Sequence, residues 1–104
     1  MMIDLGKLSL GEARVISGRQ RGVAARALFG LTDGASIDEE MVVAVPERVL
    51  SVAPSFVQGL FAGVTKDHGV DRIRSRLKLD GLRDGIVSDF ETGFERLRQG
   101  QLAH

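Results

Sequence analysis

Cysteine, tryptophan and tyrosine are absent from this sequence, and proline and histidine occur twice each. Without cysteine there are no disulfides, no thiolate nucleophile and no Cys-ligated zinc, a usage that suits a reducing compartment. Five phenylalanines are the whole aromatic content, so the core has to be mostly aliphatic and few rings remain to stack bases or sugars. An excess of one charge is also missing. Fourteen basic residues cancel fourteen acidic ones, and no overall field draws nucleic acid or an anionic membrane. No apolar run approaches the roughly 20 residues that span a bilayer, and residues 1–7 lack the apolar core of a signal peptide. The expected location is cytoplasmic.

The machinery of catalysis is equally thin. A general base beside a nucleophile is usually a histidine. Here His68 falls at a predicted helix end, where the helix dipole favours it, and His104 is the last residue. There is no His-x-x-x-His, the acids of 38–40 read as a solvated loop, and Gly18, Gly22 and Gly30 fit neither the Walker nor the dinucleotide-binding spacing. The sequence argues against an enzyme and implies no cofactor and no metal.

What is present is organised around residues 41–69. Residues 41–45, Met-Val-Val-Ala-Val, form an unbroken and mostly β-branched run ended by Pro46. Such a run predicts a central strand buried on both faces, because a half-exposed strand would alternate apolar with polar. Pro46 cannot donate to a ladder and stops the pairing. Pro54 suits the first position of a helix. Phe56, Val57, Leu60, Phe61 and Val64 then recur at helical spacing, and Gly69 supplies a left-handed stop. The loop 47–55 lies at the C-terminal end of the strand, where open α/β sheets present their working surface.

The flanks are weaker. Residues 2–5 and 13–16 read as two short strands paired as a hairpin across turns at Gly6-Lys7 and Gly11-Glu12, with residues 8–10 extending or bulging the edge. Ser17 and Gln20 form a capping box for a helix running to about Leu31, with Val23, Ala24, Ala27, Leu28 and Leu31 on one face. Residues 32–40 are a polar loop. Ile73, Leu77 and Leu79 alternate with Arg74, Arg76 and Lys78, predicting a strand over 70–79 with one face in water; a helix with 73 and 77 on one side is the alternative. A last helix starts at Ser88, boxed with Glu91, and carries Phe90, Phe94 and Leu97, with residues 100–104 frayed. There is no repeat, linker or low-complexity tract, so residues 1–104 read as one domain. Its class is an α/β sandwich: a mixed sheet of about four strands with about three helices packed on it.

Three surface features stand out. Arg19 and Arg21 fall in the first turn of a helix, where the dipole disfavours cations by about 0.3–1 kcal/mol each. Either they solubilise or reach the acids of 38–40, or Ser17, Gly18, Arg19 and Arg21 form an anion site at the helix start. Ser51 and Ser55 flank Pro54; they read either as caps or as phosphoacceptors whose modification adds roughly −1.5 to −2 charge. The cations Arg72, Arg74, Arg76 and Lys78 read as an edge-protecting solvated row or as a surface for an acidic partner.

The segments Ser-Gly-Arg-Gln-Arg-Gly-Val-Ala at 17–24, Val-Val-Ala-Val at 42–45 and Val-Leu-Ser-Val-Ala-Pro-Ser-Phe-Val at 49–57 resemble the STAS-like domain family, distant relatives of the STAS domains of anti-sigma factor antagonists. That resemblance implies a small sandwich that binds proteins rather than turning over substrate. It further implies a partner of the histidine-kinase-like ATPase class, a serine kinase, released when a serine near the start of the central helix is phosphorylated; Ser55 lies close to that place. On this reading Val49, Leu50, Pro54, Ser55 and Gln58 meet the partner, together with the turn at 17–21. The rivals are an enzyme or anion- and small-ligand-binding domain using Arg19 and Ser55, recognisable by a deep pocket lined by them and Ser17, and a homo-oligomeric structural module joined through a sheet edge or the last helix.

Overall fold

The helix after Pro54 is the axis of the molecule. In the computed structural model, which describes residues 1–8 and 11–102, it runs Pro54–His68 and is here called α2. Phe56, Val57, Leu60, Phe61 and Val64 on it are all fully buried, as the spacing predicts. It ends at Gly69, whose N–H donates to the Thr65 carbonyl at 2.8 Å. Gly69 has φ +92° but ψ 144°, so the stop is an extended positive-φ kink rather than the expected left-handed turn. Only glycine takes that conformation without strain, and the chain restarts at once as another helix.

The remaining elements are β1 Met2–Asp4, a 3-10 turn Leu5–Lys7, β2 Val15–Ile16, α1 Arg19–Phe29, β3 Met41–Ala44, β4 Ser51–Val52, α3 Val70–Arg76, β5 Leu77–Lys78 and α4 Asp84–Leu102. The class is α/β, as expected, but the sheet is not the single mixed one. The described residues form two small sheets, ordered β1-β3-β5 and β2-β4, and every pairing among them is parallel. The expected β1–β2 hairpin does not form. Met2, Ile3 and Asp4 pair with Val42, Val43 and Ala44, while Val15 and Ile16 pair with Ser51 and Val52. Each half of the expected hairpin finds a partner far along the chain, and in that arrangement Ile3 and Ile16 are both fully buried in the core. Ser9 and Leu10, part of the predicted edge extension, lie outside the described residues.

β3 is the middle strand, as predicted, but it is not covered on both sides. Met41 and Val43 are buried while Val42 is 40% exposed. The helices pack on the face carrying Ile3, Met41, Val43 and Leu77; among the described residues the other face, with Met2 and Val42 exposed, is not packed into the core.

α1 turns a different side to the core than its apolar residues suggest. Gly22, Ala25 and Phe29 are buried, whereas Val23, Ala24, Ala27 and Leu28 are exposed. The reason is steric. α1 and α2 cross backbone to backbone, such that a Cβ on Gly22 would sit 2.3 Å from the Phe56 carbonyl oxygen, and one on Gly59 would sit 2.0 Å from the Arg19 carbonyl oxygen. Small residues select the contact face, and hydrophobicity does not. Arg26 locks the crossing: its Nε donates to the Gly59 carbonyl at 2.7 Å, and its guanidinium lies 3.7 Å from Asp33.

Residues 70–76 are helical, so the predicted strand over 70–79 survives only as Leu77–Lys78. The helical alternative prevails there because Val70 and Ile73 then enter the core together. The basic row is dispersed with it: Arg74 pairs with Glu91, Arg76 donates to the Asp38 carbonyl at 2.9 Å, and Lys78 lies 3.6 Å from Glu40. α4 starts at Asp84, so Ser88 is inside the helix and caps nothing. The helix continues through Leu102; Ala103 and His104 lie outside the described residues. Phe90 and Phe94 meet Phe61 with ring centroids 6.4 and 5.1 Å apart. Arg98 ties α4 to Asp71 of α3 at 2.5 Å; hydrogen bonding and charge from Asp71 hold its proton more firmly than usual. The loop 32–40 is as expected, apart from buried Ile37. Its first half is tied to the last turn of α2, where the Asp67 carboxylate accepts from the Gly34 N–H and His68 Nε2 lies 2.8 Å from the Ala35 carbonyl oxygen. That contact gives His68 a structural task. Among the described residues no helix is long and apolar enough to cross a membrane.

Candidate functional site

The parallel pair β2-β4 brings the starts of α1 and α2 side by side. Leu50 N–H donates to the Arg14 carbonyl and Ala53 N–H to the Ile16 carbonyl, both at 2.7 Å. Each strand then runs within a few residues into a helix: β2 through Ser17 and Gly18 into α1, β4 through Ala53 into Pro54 and α2. The helix-terminal N–H groups of both are left without a side-chain cap, because the capping positions are Gly18, at φ +99°, and Ala53. The expected Ser17–Gln20 box therefore does not form. With glycine at the cap, Ser17 stays one residue outside the helix, too far back for its hydroxyl to serve the first turn.

Two apolar side chains are exposed on the segments that lead to these helix starts. Val15 and Leu50 are 50% and 48% exposed; Val15 pairs with Ser51, the residue after Leu50, across the strand pair. Arg19 and Arg21 are exposed on the first turn of α1, and no carboxylate among the described residues lies within ion-pair distance of either. The acids of 38–40 are engaged elsewhere: Asp38 with Ser36, Glu39 with the N-terminus and Glu40 with Lys78. On α2, Pro54, Ser55 and Gln58 are half-buried and border this surface.

Two sequence expectations change here. Val49 is fully buried and belongs to the core, so it cannot touch a partner; its N–H closes a turn on the Pro46 carbonyl at 2.9 Å. Ser51 caps nothing. Its hydroxyl donates to Asp89 of α4 at 2.9 Å, and the same carboxylate oxygen accepts the Val52 N–H at 3.1 Å. Asp89 is the residue that sequence reasoning missed. It lies 38 positions from Ser51, and no local pattern announces a bond at that distance. Asp89→Ala is expected to cost about 1–3 kcal/mol, since it strands a buried N–H and a hydroxyl. Asp89→Asn should lose less, because an amide oxygen in the same place still accepts both bonds and only the charge is lost. Urea unfolding of the two variants checks the order.

Two clefts lie away from this surface. One, of about 320 Å³, is walled by Val45, Pro46, Val49, Leu82 and Ile86, with Arg83 bridging to the Glu47 carbonyl at 2.9 Å. The other, of about 340 Å³, lies among Phe29, Ile37 and Asp38. Ser17, Arg19 and Ser55 line neither. Among the described residues no group of three or more metal-ligating side chains converges. Compared with protein-family models, with curated proteins and with solved structures, the chain finds no match.

Proposed function

We propose that the chain is a non-enzymatic STAS-like interaction module that docks a protein, of the ATPase-type serine kinase class, through the joined starts of α1 and α2. The observation that carries the reading is the exposure of Val15 and Leu50 at the strand pair that leads into both helices, together with Arg19 and Arg21, which have no ion-pair partner among the described residues, and the half-buried Pro54, Ser55 and Gln58 at the start of α2. Exposed apolar side chains accompanied by charged and polar ones are what a protein interface is built from. Ser55 is the better phosphoacceptor of the two serines. A phosphate on Ser51 would be pressed against the Asp89 carboxylate, whereas one on Ser55 meets the positive end of the α2 dipole. A pull-down against an ATPase-type kinase tests this: Leu50→Asp and Ser55→Asp should each weaken capture by roughly tenfold or more, with circular dichroism unchanged. Capture that is indifferent to both substitutions removes the reading.

The two uncapped helix starts beside Arg19 favour a second reading, a phosphate- or carboxylate-binding site. Calorimetric titration with inorganic phosphate separates the two, since binding lost in Arg19→Ala supports the second.

A further inference from the structure

We infer that the uncovered face of the β1-β3-β5 sheet is a surface on which two copies of this chain pair. Parallel sheets are almost always covered on both faces, and this one is covered on one. Its outward residues form rows across the strands. Met2, Val42 and Lys78 share one row, and Asp4 and Ala44 follow two positions on. Met2 and Val42 are 59% and 40% exposed, which places apolar side chains on the first edge strand and on the middle strand.

The charges identify the occupant. The open face carries a carboxylate on one edge strand, Asp4 of β1, and an ammonium on the other, Lys78 of β5. Consider a second copy related by a two-fold axis lying between the sheets and parallel to the strands. It sets β5 of each copy over β1 of the other and stacks Val42 on Val42. Facing sheets lie about 10 Å apart, and same-face neighbours along a strand about 7 Å, so a lysine side chain spans from its own row to Asp4 of the partner copy. The pairing forms twice, by symmetry. Among the described residues Lys78 has only its exposed contact with Glu40 to give up, and Asp4 accepts one N–H, from Gly6 at 2.9 Å, through one of its two oxygens. A face three short strands wide is well below the roughly 800 Å² per partner of a standard interface, so the dimer is weak and concentration-dependent. This surface is separate from the Leu50–Ser55 site.

Sedimentation of the purified chain from micromolar to millimolar concentration tests the inference. The wild type should move from monomer towards dimer. Val42→Lys, at a position already exposed, should weaken association at least roughly tenfold, as should Lys78→Glu. The double exchange of Asp4→Lys with Lys78→Glu should restore it. Asp4→Lys also removes the cap on Gly6, so circular dichroism accompanies each variant; should the double variant not fold, Val42→Lys and Lys78→Glu decide. A wild type that stays monomeric throughout, a dimer indifferent to Val42→Lys, or a folded double variant that stays apart would overturn the inference.

Discussion

Gly59→Ala is expected to destabilise the protein by about 2–3 kcal/mol, although alanine is the better helix former by roughly 1 kcal/mol. The added methyl would lie 2.0 Å from the Arg19 carbonyl oxygen, 2.9 Å from its carbon and 3.1 Å from the Val23 nitrogen. All three are backbone atoms of a helix, and none can move by a change of rotamer. Relief requires α1 to lift off α2, which breaks the Arg26 bond to the Gly59 carbonyl and separates the two helix starts that make up the candidate site. Gly59→Ala should therefore impair partner capture as well as lower the melting temperature, by roughly 10–20 °C for a domain of this size. Gly100→Ala is the control. It is also helical, and a Cβ there meets nothing within 4 Å, so it should be neutral or stabilising by up to about 1 kcal/mol. Thermal scans of the pair isolate the crossing from propensity.

Phe61→Ala is expected to have the largest effect on stability, a loss of about 3–5 kcal/mol. Phe61 is fully buried and joins α2 to α4 through Phe90 and Phe94. Removing it costs the transfer energy of the ring, leaves a cavity, and strips two aromatic contacts from α4. A loss of that size is a large part of the roughly 5–15 kcal/mol that holds a domain together. Phe61→Leu keeps most of the volume and should lose about 1–2 kcal/mol. Denaturant unfolding should show both midpoints displaced, the alanine variant by much the larger shift.

The parts of the fold legible in the sequence were those written in local periodicity. α2 could be read because Pro54, the 56-57-60-61-64 spacing and Gly69 all speak within one helix. β3 could be read because five apolar residues end at a proline, and the class followed from the two together. What could not be read is set by partners distant in the chain. α1 was visible as a helix, but its buried face was not, because a glycine contact leaves no hydrophobic signal. The alternation over 70–79 mimicked a strand, since Arg74 and Arg76 owe their places to Glu91 and to the Asp38 carbonyl rather than to water. At the candidate site, Leu50 and Gln58 were named from the STAS-like resemblance, whereas Pro54 and Ser55 were legible from the turn chemistry. The burial of Val49 and the bond from Ser51 to Asp89 were not, since both depend on how α4 is laid against β4.

The parallel pairing of all the described strands has a consequence for how the chain reaches this state. Paired residues such as Met2 and Val42, Val15 and Ser51, or Met41 and Leu77 stand about 36 to 40 positions apart, so no ladder can nucleate from a tight local turn. Each requires a long loop to close first, and that entropy is lost before any interstrand bond repays it. Early order in refolding is therefore assigned to the helices and the sheets are completed late, which makes the rate-limiting barrier more sensitive to substitutions along α2 than to those in the strands.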